Sequence, residues 1–158
     1  MNDALGLIAA VLICALAAVV GGVATAGAVR TWYPTLRTPS WNPPARLFGP
    51  VWSALYLMMA IAVWLVWRTR DATNVGVALG LFAVQLALNV LWSVLFFGLR
   101  RPGGALLDIG ILWIAILATV VVFWPIDPIG SALLLPYLAW VTFAAALNGS
   151  ILRLNRIV

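Results

Sequence analysis

Histidine, lysine and glutamate are absent from the chain, and cysteine occurs once, as Cys14. A single cysteine excludes an internal disulfide, and without histidine no Cys/His zinc cluster can form. Cys14 lies inside an apolar run and reads as a small packing residue. The only acids are Asp3, Asp71, Asp108 and Asp127, and no serine or cysteine has a base nearby. No catalytic residue and no metal ligand is therefore assigned on chemistry alone. Haem iron would find few axial ligands, because Cys14, Met58 and Met59 sit inside apolar helices.

Charge is scarce too. Only 8% of the 158 residues are charged, against about 25% in a soluble domain. Hydrophobic residues make up 65% and the mean hydropathy is +1.12. The apolar runs each reach the roughly 20 residues that a bilayer requires. The chain is thus expected to be an integral, multi-pass membrane protein with lipid as its surroundings. All nine basic residues are arginines, lying mostly between the runs. Topology explains them, and nucleic acid is not expected as a partner.

Five runs predict five transmembrane helices, over about 5–29, 45–67, 75–99, 103–124 and 131–152. The fold class is an all-α membrane bundle in one domain, 1–158, with a structured first loop over 30–44. The first run resembles a signal peptide only superficially, since Met-Asn-Asp precedes it and it is too long. Ala18, Gly22 and Ala26 in that run, and Gly76 and Gly80 in the third, predict seams of close helix contact. Pro50 predicts a bend at the entry to the second helix and Pro136 a kink in the fifth. Short turns make neighbours antiparallel. Arg30, Arg37, Arg46, Arg100, Arg101, Arg153 and Arg156 then share one side, against Arg68 and Arg70 on the other. The positive-inside rule puts the first loop and the C-terminus in the cytoplasm, with a bacterial cell membrane expected and an outer membrane left open.

The segment from Thr31 to Trp52 holds three of the nine tryptophans and five of the nine prolines. Proline fixes φ and removes a donor, so this stretch cannot be one helix. It reads as a lid that holds Trp32 and Trp41 over a cavity. Beneath it, Trp52 and Tyr56 lie roughly 10 and 16 Å in from the arginine-rich side, at 1.5 Å per residue. Gln85, Asn89, Trp92 and Phe96 share one face of the third helix, and Tyr137, Trp140, Ala144 and Asn148 one face of the fifth. Three helices thus direct aromatic and amide groups to one level. Buried amides favour an inward role, either as contacts between helices or as cavity lining. Small Ala144 beside Trp140 leaves room for a flat ligand. Trp64, Trp67 and Trp124 read as interfacial belts. Asp108 reads either as a helix-end ion pair with Arg100, Arg101 or a lid arginine, or as a proton site. The sequon at Asn148 lies at a helix end and is set aside. Arg37 and Arg46 could meet the carboxylates of a bound tetrapyrrole.

Several motifs together resemble one family. They are Trp32-Tyr33, Pro39-Ser40-Trp41-Asn42-Pro43-Pro44, Phe48-Gly49-Pro50-Val51-Trp52, Gln85-Leu86-Ala87-Leu88-Asn89 with Trp92, Phe96-Phe97-Gly98, and Pro136-Tyr137-Leu138-Ala139-Trp140 with Phe143-Ala144 and Leu147-Asn148. In order and spacing they are similar to the TspO/MBR family of bacterial tryptophan-rich sensory proteins and mitochondrial translocator proteins (peripheral benzodiazepine receptors). The resemblance implies a homodimer that binds porphyrins and other tetrapyrroles, as well as isoquinoline carboxamides, benzodiazepines and, in animals, cholesterol. Carried onto this chain, the family's pocket implies Trp41, Trp52, Asn89, Trp140, Ala144 and Leu147 under the first loop. With the residue-level reading, the candidate ligand site is Trp32, Trp41, Arg46, Trp52, Tyr56, Gln85, Asn89, Trp92, Tyr137, Trp140, Ala144 and Leu147.

The expected function is a receptor- or transporter-like protein in tetrapyrrole regulation or stress response, with porphyrin or haem as ligand and no required cofactor. One alternative is light- and oxygen-dependent porphyrin breakdown, in which Trp52 and Trp140 would take part. Another is a small proton-coupled efflux carrier using Asp108. In animal members an aromatic residue and then a basic one follow the Leu-Asn pair. Here Gly149-Ser150-Ile151-Leu152-Arg153 follows, without tyrosine. That departure favours a tetrapyrrole over a sterol.

Overall fold

In the computed structural model, residues 2–69 and 72–155 are described. Arg70, Asp71 and Arg156 of the charge tally lie outside them. Among the described residues, five apolar segments are long enough to span a bilayer: Asp3–Thr31, Ala45–Arg68, Val75–Gly98, Pro102–Phe123 and Pro128–Asn155. They comprise α1 (Asp3–Thr31), α2 (Phe48–Arg68), α3 (Val75–Ser93), α4 (Pro102–Phe123), α5 (Pro128–Ala132) and α6 (Leu135–Asn155). The chain is an all-α membrane bundle.

Helix ends follow local chemistry. Asn2 caps α1, its side-chain oxygen accepting from Leu5 N at 2.9 Å, and Asp127 caps α5 by accepting from Gly130 N at 2.7 Å. Pro50 falls in the first turn of α2, after a 3₁₀ turn at Ala45–Leu47. There its missing N–H leaves nothing unpaired, and α2 runs through it without interruption. The last span is two helices rather than one continuous run. Pro136 cannot donate to the preceding turn, and the break falls just ahead of it, at Leu133 and Leu134. Val94–Gly98, after α3, is wound as a π-helix, which sets Phe96 and Phe97 edge to face at 4.8 Å.

Around the bundle α1 packs on α2 and α3, α3 on α4, and α4 on α6. The ring closes at the Arg68 end, where α5 packs on α2. Gly130 permits that contact, since a Cβ there would stand 3.0 Å from Ala62 O. Towards the other end the backbones of α2 and α6 stay apart, and the rings of Phe48, Trp52, Tyr137 and Trp140 span the space between them. Met59, Phe82, Ile109, Leu112, Ile116, Phe123 and Val141 form the buried core. Cys14 is buried with them. Leu12, Leu16, Val19 and Val23 on α1 point outward, as the lipid-facing side of a membrane helix should.

Candidate functional site

Trp52 occupies the centre of the aromatic assembly. Its ring lies 5.9 Å from Tyr56, 6.5 Å from Trp92, 6.4 Å from Tyr137 and 6.5 Å from Trp140. Those spacings suit edge and offset contacts, each worth about 1 kcal/mol beyond simple burial. At the same level Asn89, fully buried, joins three helices. Its Oδ1 accepts from the Tyr56 hydroxyl at 2.7 Å, and its Nδ2 donates to the Tyr137 hydroxyl at 2.7 Å. The stripes read from α2, α3 and the last helix do meet.

That meeting point is solid on one side and open on the other. A cavity of about 430 Å³ lies on the α1 side of Trp52, within the range typical of small-molecule sites. Its walls are Ala18, Gly21, Gly22, Thr25, Ala26 and Arg30 of α1, Phe48, Trp52, Ser53 and Tyr56 of α2, and Asn89, Trp92 and Ser93 of α3. Tyr33 and Phe97 complete the end nearest the first loop. The cavity is apolar apart from a few hydroxyls, one amide and one guanidinium.

Four of the sequence candidates therefore line the open space: Trp52, Tyr56, Asn89 and Trp92. Tyr137, Trp140, Ala144 and Leu147 do not line it; they belong to the last helix, beyond Trp52. The room expected beside Ala144 is not part of the cavity: Ala144 is buried, and Trp140 packs on Phe48 and Phe143. Gln85 is a contact between helices, its Nε2 lying 4.0 Å from Met59 Sδ. Trp32 packs edge-on against Phe96 at 5.7 Å. Trp41 is 47% exposed and rests on Phe143. Arg46 is exposed and lines no part of the cavity.

The first loop is fixed across this end of the bundle. Tyr33 donates its hydroxyl to Asn42 Oδ1 at 2.9 Å while its ring meets Phe96 and Phe97. Farther along, Arg37 N donates to Asn155 Oδ1 at 3.1 Å, and Asn155 Nδ2 donates back to Arg37 O at 3.0 Å. Burial pushes the Tyr33 phenol above its ordinary value, and the Asn42 contact pulls the other way.

Two readings of the sequence need correcting. Ala18, Gly22 and Ala26 do not form a continuous contact seam: all three line the cavity, and although Ala18 also packs against the core, a Cβ built on Gly22 meets nothing within 4 Å. Gly76 and Gly80 likewise face open space. The close contacts on α1 are at Gly6, which the Trp67 ring covers, and at Gly21, where a Cβ would stand 3.3 Å from Ser93 Oγ. Asp108, expected to pair with an arginine, is buried with Oδ2 unpartnered and forms no ion pair among the described residues. Arg100 and Arg101 both point to the exterior. Asn148, of the sequon, is buried; with its amide turned to suit both neighbours it donates to Pro102 O at 3.2 Å and accepts from Leu106 N at 2.9 Å. At the far end Trp64 Nε1 donates to Asp3 O at 2.9 Å, with Arg68 over its ring.

A profile of the TspO/MBR family matches residues 10–154. The "Tryptophan-rich protein TspO" of Chlorobaculum tepidum is 44% identical over 146 residues, 90% of this chain and 91% of that protein. "Protein CrtK" of Rhodobacter capsulatus is 42% identical over 143 residues, covering 90% and 88%. The human "Translocator protein" is 42% identical over 126 residues, covering 78% and 75%.

Proposed function

This chain belongs to the TspO/MBR family, and from that premise we propose that it is a receptor- or transporter-like protein that binds porphyrin-type tetrapyrroles in the cavity beneath its first loop. The observation that carries the reading is the 430 Å³ cavity itself, walled by Trp52, Trp92, Tyr56 and the small residues of α1. Aromatic faces offer stacking to a flat conjugated ring, and the absence of large side chains at Ala18, Gly22 and Ala26 leaves space for it. The site supports that role. Nothing in it supplies a base–nucleophile pair, so the chemistry it supports is capture and release.

The reading includes a homodimer and an orientation. Six arginines of the described residues at the first-loop end (Arg30, Arg37, Arg46, Arg100, Arg101 and Arg153) favour a cytoplasmic location for that loop and the C-terminus. Gly76 and Gly80, facing out of the bundle, would let a second copy approach closely.

Protoporphyrin IX titrated into purified protein should quench tryptophan fluorescence saturably, and Trp52→Phe should remove a disproportionate share of the signal. Quenching no greater than that of free tryptophan in the same detergent would refute the proposal.

A further inference from the structure

Resting on the reading of this cavity as a ligand site, we propose that Arg30 is its anion-binding residue, and that the ligand is an apolar, flat molecule carrying a carboxylate at the α1 mouth. Arg30 is the one charged residue among those lining the cavity. It is exposed and makes no hydrogen bond or ion pair with any described residue.

The hydroxyls of the lining and the Asn89 amide already donate within the protein. Thr25 donates to Gly21 O at 2.7 Å, Ser53 to Gly49 O at 3.0 Å and Ser93 to Asn89 O at 3.5 Å. The Tyr33 hydroxyl donates to Asn42, the Tyr56 hydroxyl to Asn89, and the Asn89 amide to Tyr137. Trp92 keeps a free N–H, but that nitrogen is itself buried. Of the donors left to a carboxylate entering this space, the indole N–H of Trp52 among them, only the guanidinium is charged, and its planar fork suits two parallel hydrogen bonds. Being exposed, Arg30 can hold the anion at the mouth while the apolar body lies between α1 and Trp52. No charge need then be taken deep into the bundle. Arg37 and Arg46, the arginines first suggested by the loop sequence, line no part of the cavity.

The test pairs two pigments that share the ring system and differ in charge: protoporphyrin IX and its dimethyl ester. Each is titrated into wild-type protein, Arg30→Gln and Arg30→Lys by tryptophan quenching in neutral detergent. Arg30→Gln should weaken the diacid about fivefold, the scale of an exposed charge contact. It should leave the ester within about twofold of wild type, and Arg30→Lys should recover much of the loss because it keeps the charge. Thermal melting should be unchanged, since the side chain is exposed and makes no hydrogen bond or ion pair with any described residue. Equal effects on both pigments, or none on either, would overturn the assignment of Arg30 while leaving the cavity as a ligand site. Failure of the wild type to bind either pigment would instead remove the ligand-site reading, and the assignment with it.

Discussion

Replacing Gly22 by leucine separates two meanings of a small residue on a membrane helix. If Gly22 were a contact point, a side chain there would push α1 off its neighbour and cost stability. In the structure a Cβ on Gly22 meets nothing within 4 Å, and the space in front of it is the 430 Å³ cavity. Leucine adds four carbons, about 100 Å³ at interior packing density. That removes roughly a quarter of the cavity. A ligand forced to shift or tilt by such an obstruction loses about 1–3 kcal/mol, that is, a factor of about 5 to about 150 in affinity. The protein itself gains, because leucine is favoured over glycine in a helix by about 0.8 kcal/mol. Titration with protoporphyrin IX alongside a thermal melt reads both quantities. The expected pair is affinity reduced at least about fivefold with melting unchanged or raised. Unchanged affinity would show that the ligand lies elsewhere, and a collapse in melting would show that Gly22 is packed.

Other perturbations probe the same framework. Gly6→Val should destabilise by about 1–3 kcal/mol, because the Trp67 ring covers that position, while leaving affinity in the surviving protein intact; a melt equal to wild type would contradict it. Asp108→Asn should leave melting unchanged or raise it, since no described cation meets this buried carboxyl; a loss of about 3–5 kcal/mol, as for a broken buried ion pair, would refute that. Burial raises the Tyr33 phenol above its ordinary value of 10.0. The folded state then holds its proton longer than the unfolded chain, so stability falls as pH rises from about 10 upward. Tyr33→Phe should flatten that alkaline decline, and an unaltered slope would exclude Tyr33 as its source.

The spans were legible because a bilayer demands long apolar runs, and nothing else in the sequence competes with that signal. The convergence of Trp52, Asn89 and Tyr137 was legible too, since 3.6-residue periodicity fixes a face and the rise per residue fixes a depth. The α1 wall of the cavity was not. Ala18, Gly22 and Ala26 carry the same pattern whether they touch a helix or border a void, and what stands opposite is a tertiary fact. Arg30 was hidden for a related reason: at the end of an apolar run it reads as a topology signal, and only the fold turns it to the cavity. Pro136 announced an interruption, but the two separate helices of the last span depend on how α5 docks at Ala62. The π-helical winding at Val94–Gly98 has no signature in its residues that distinguishes it from an ordinary helical turn.

The most direct measurement is the structure of the protein with protoporphyrin IX bound. The pigment should lie between α1 and Trp52, its ring against Gly22, Tyr56 and Trp92 and a carboxylate beside Arg30. Pigment held instead in the apolar groove between α1 and α3 beside Trp64 and Trp67, or beyond Trp52 against Ala144, would contradict the account.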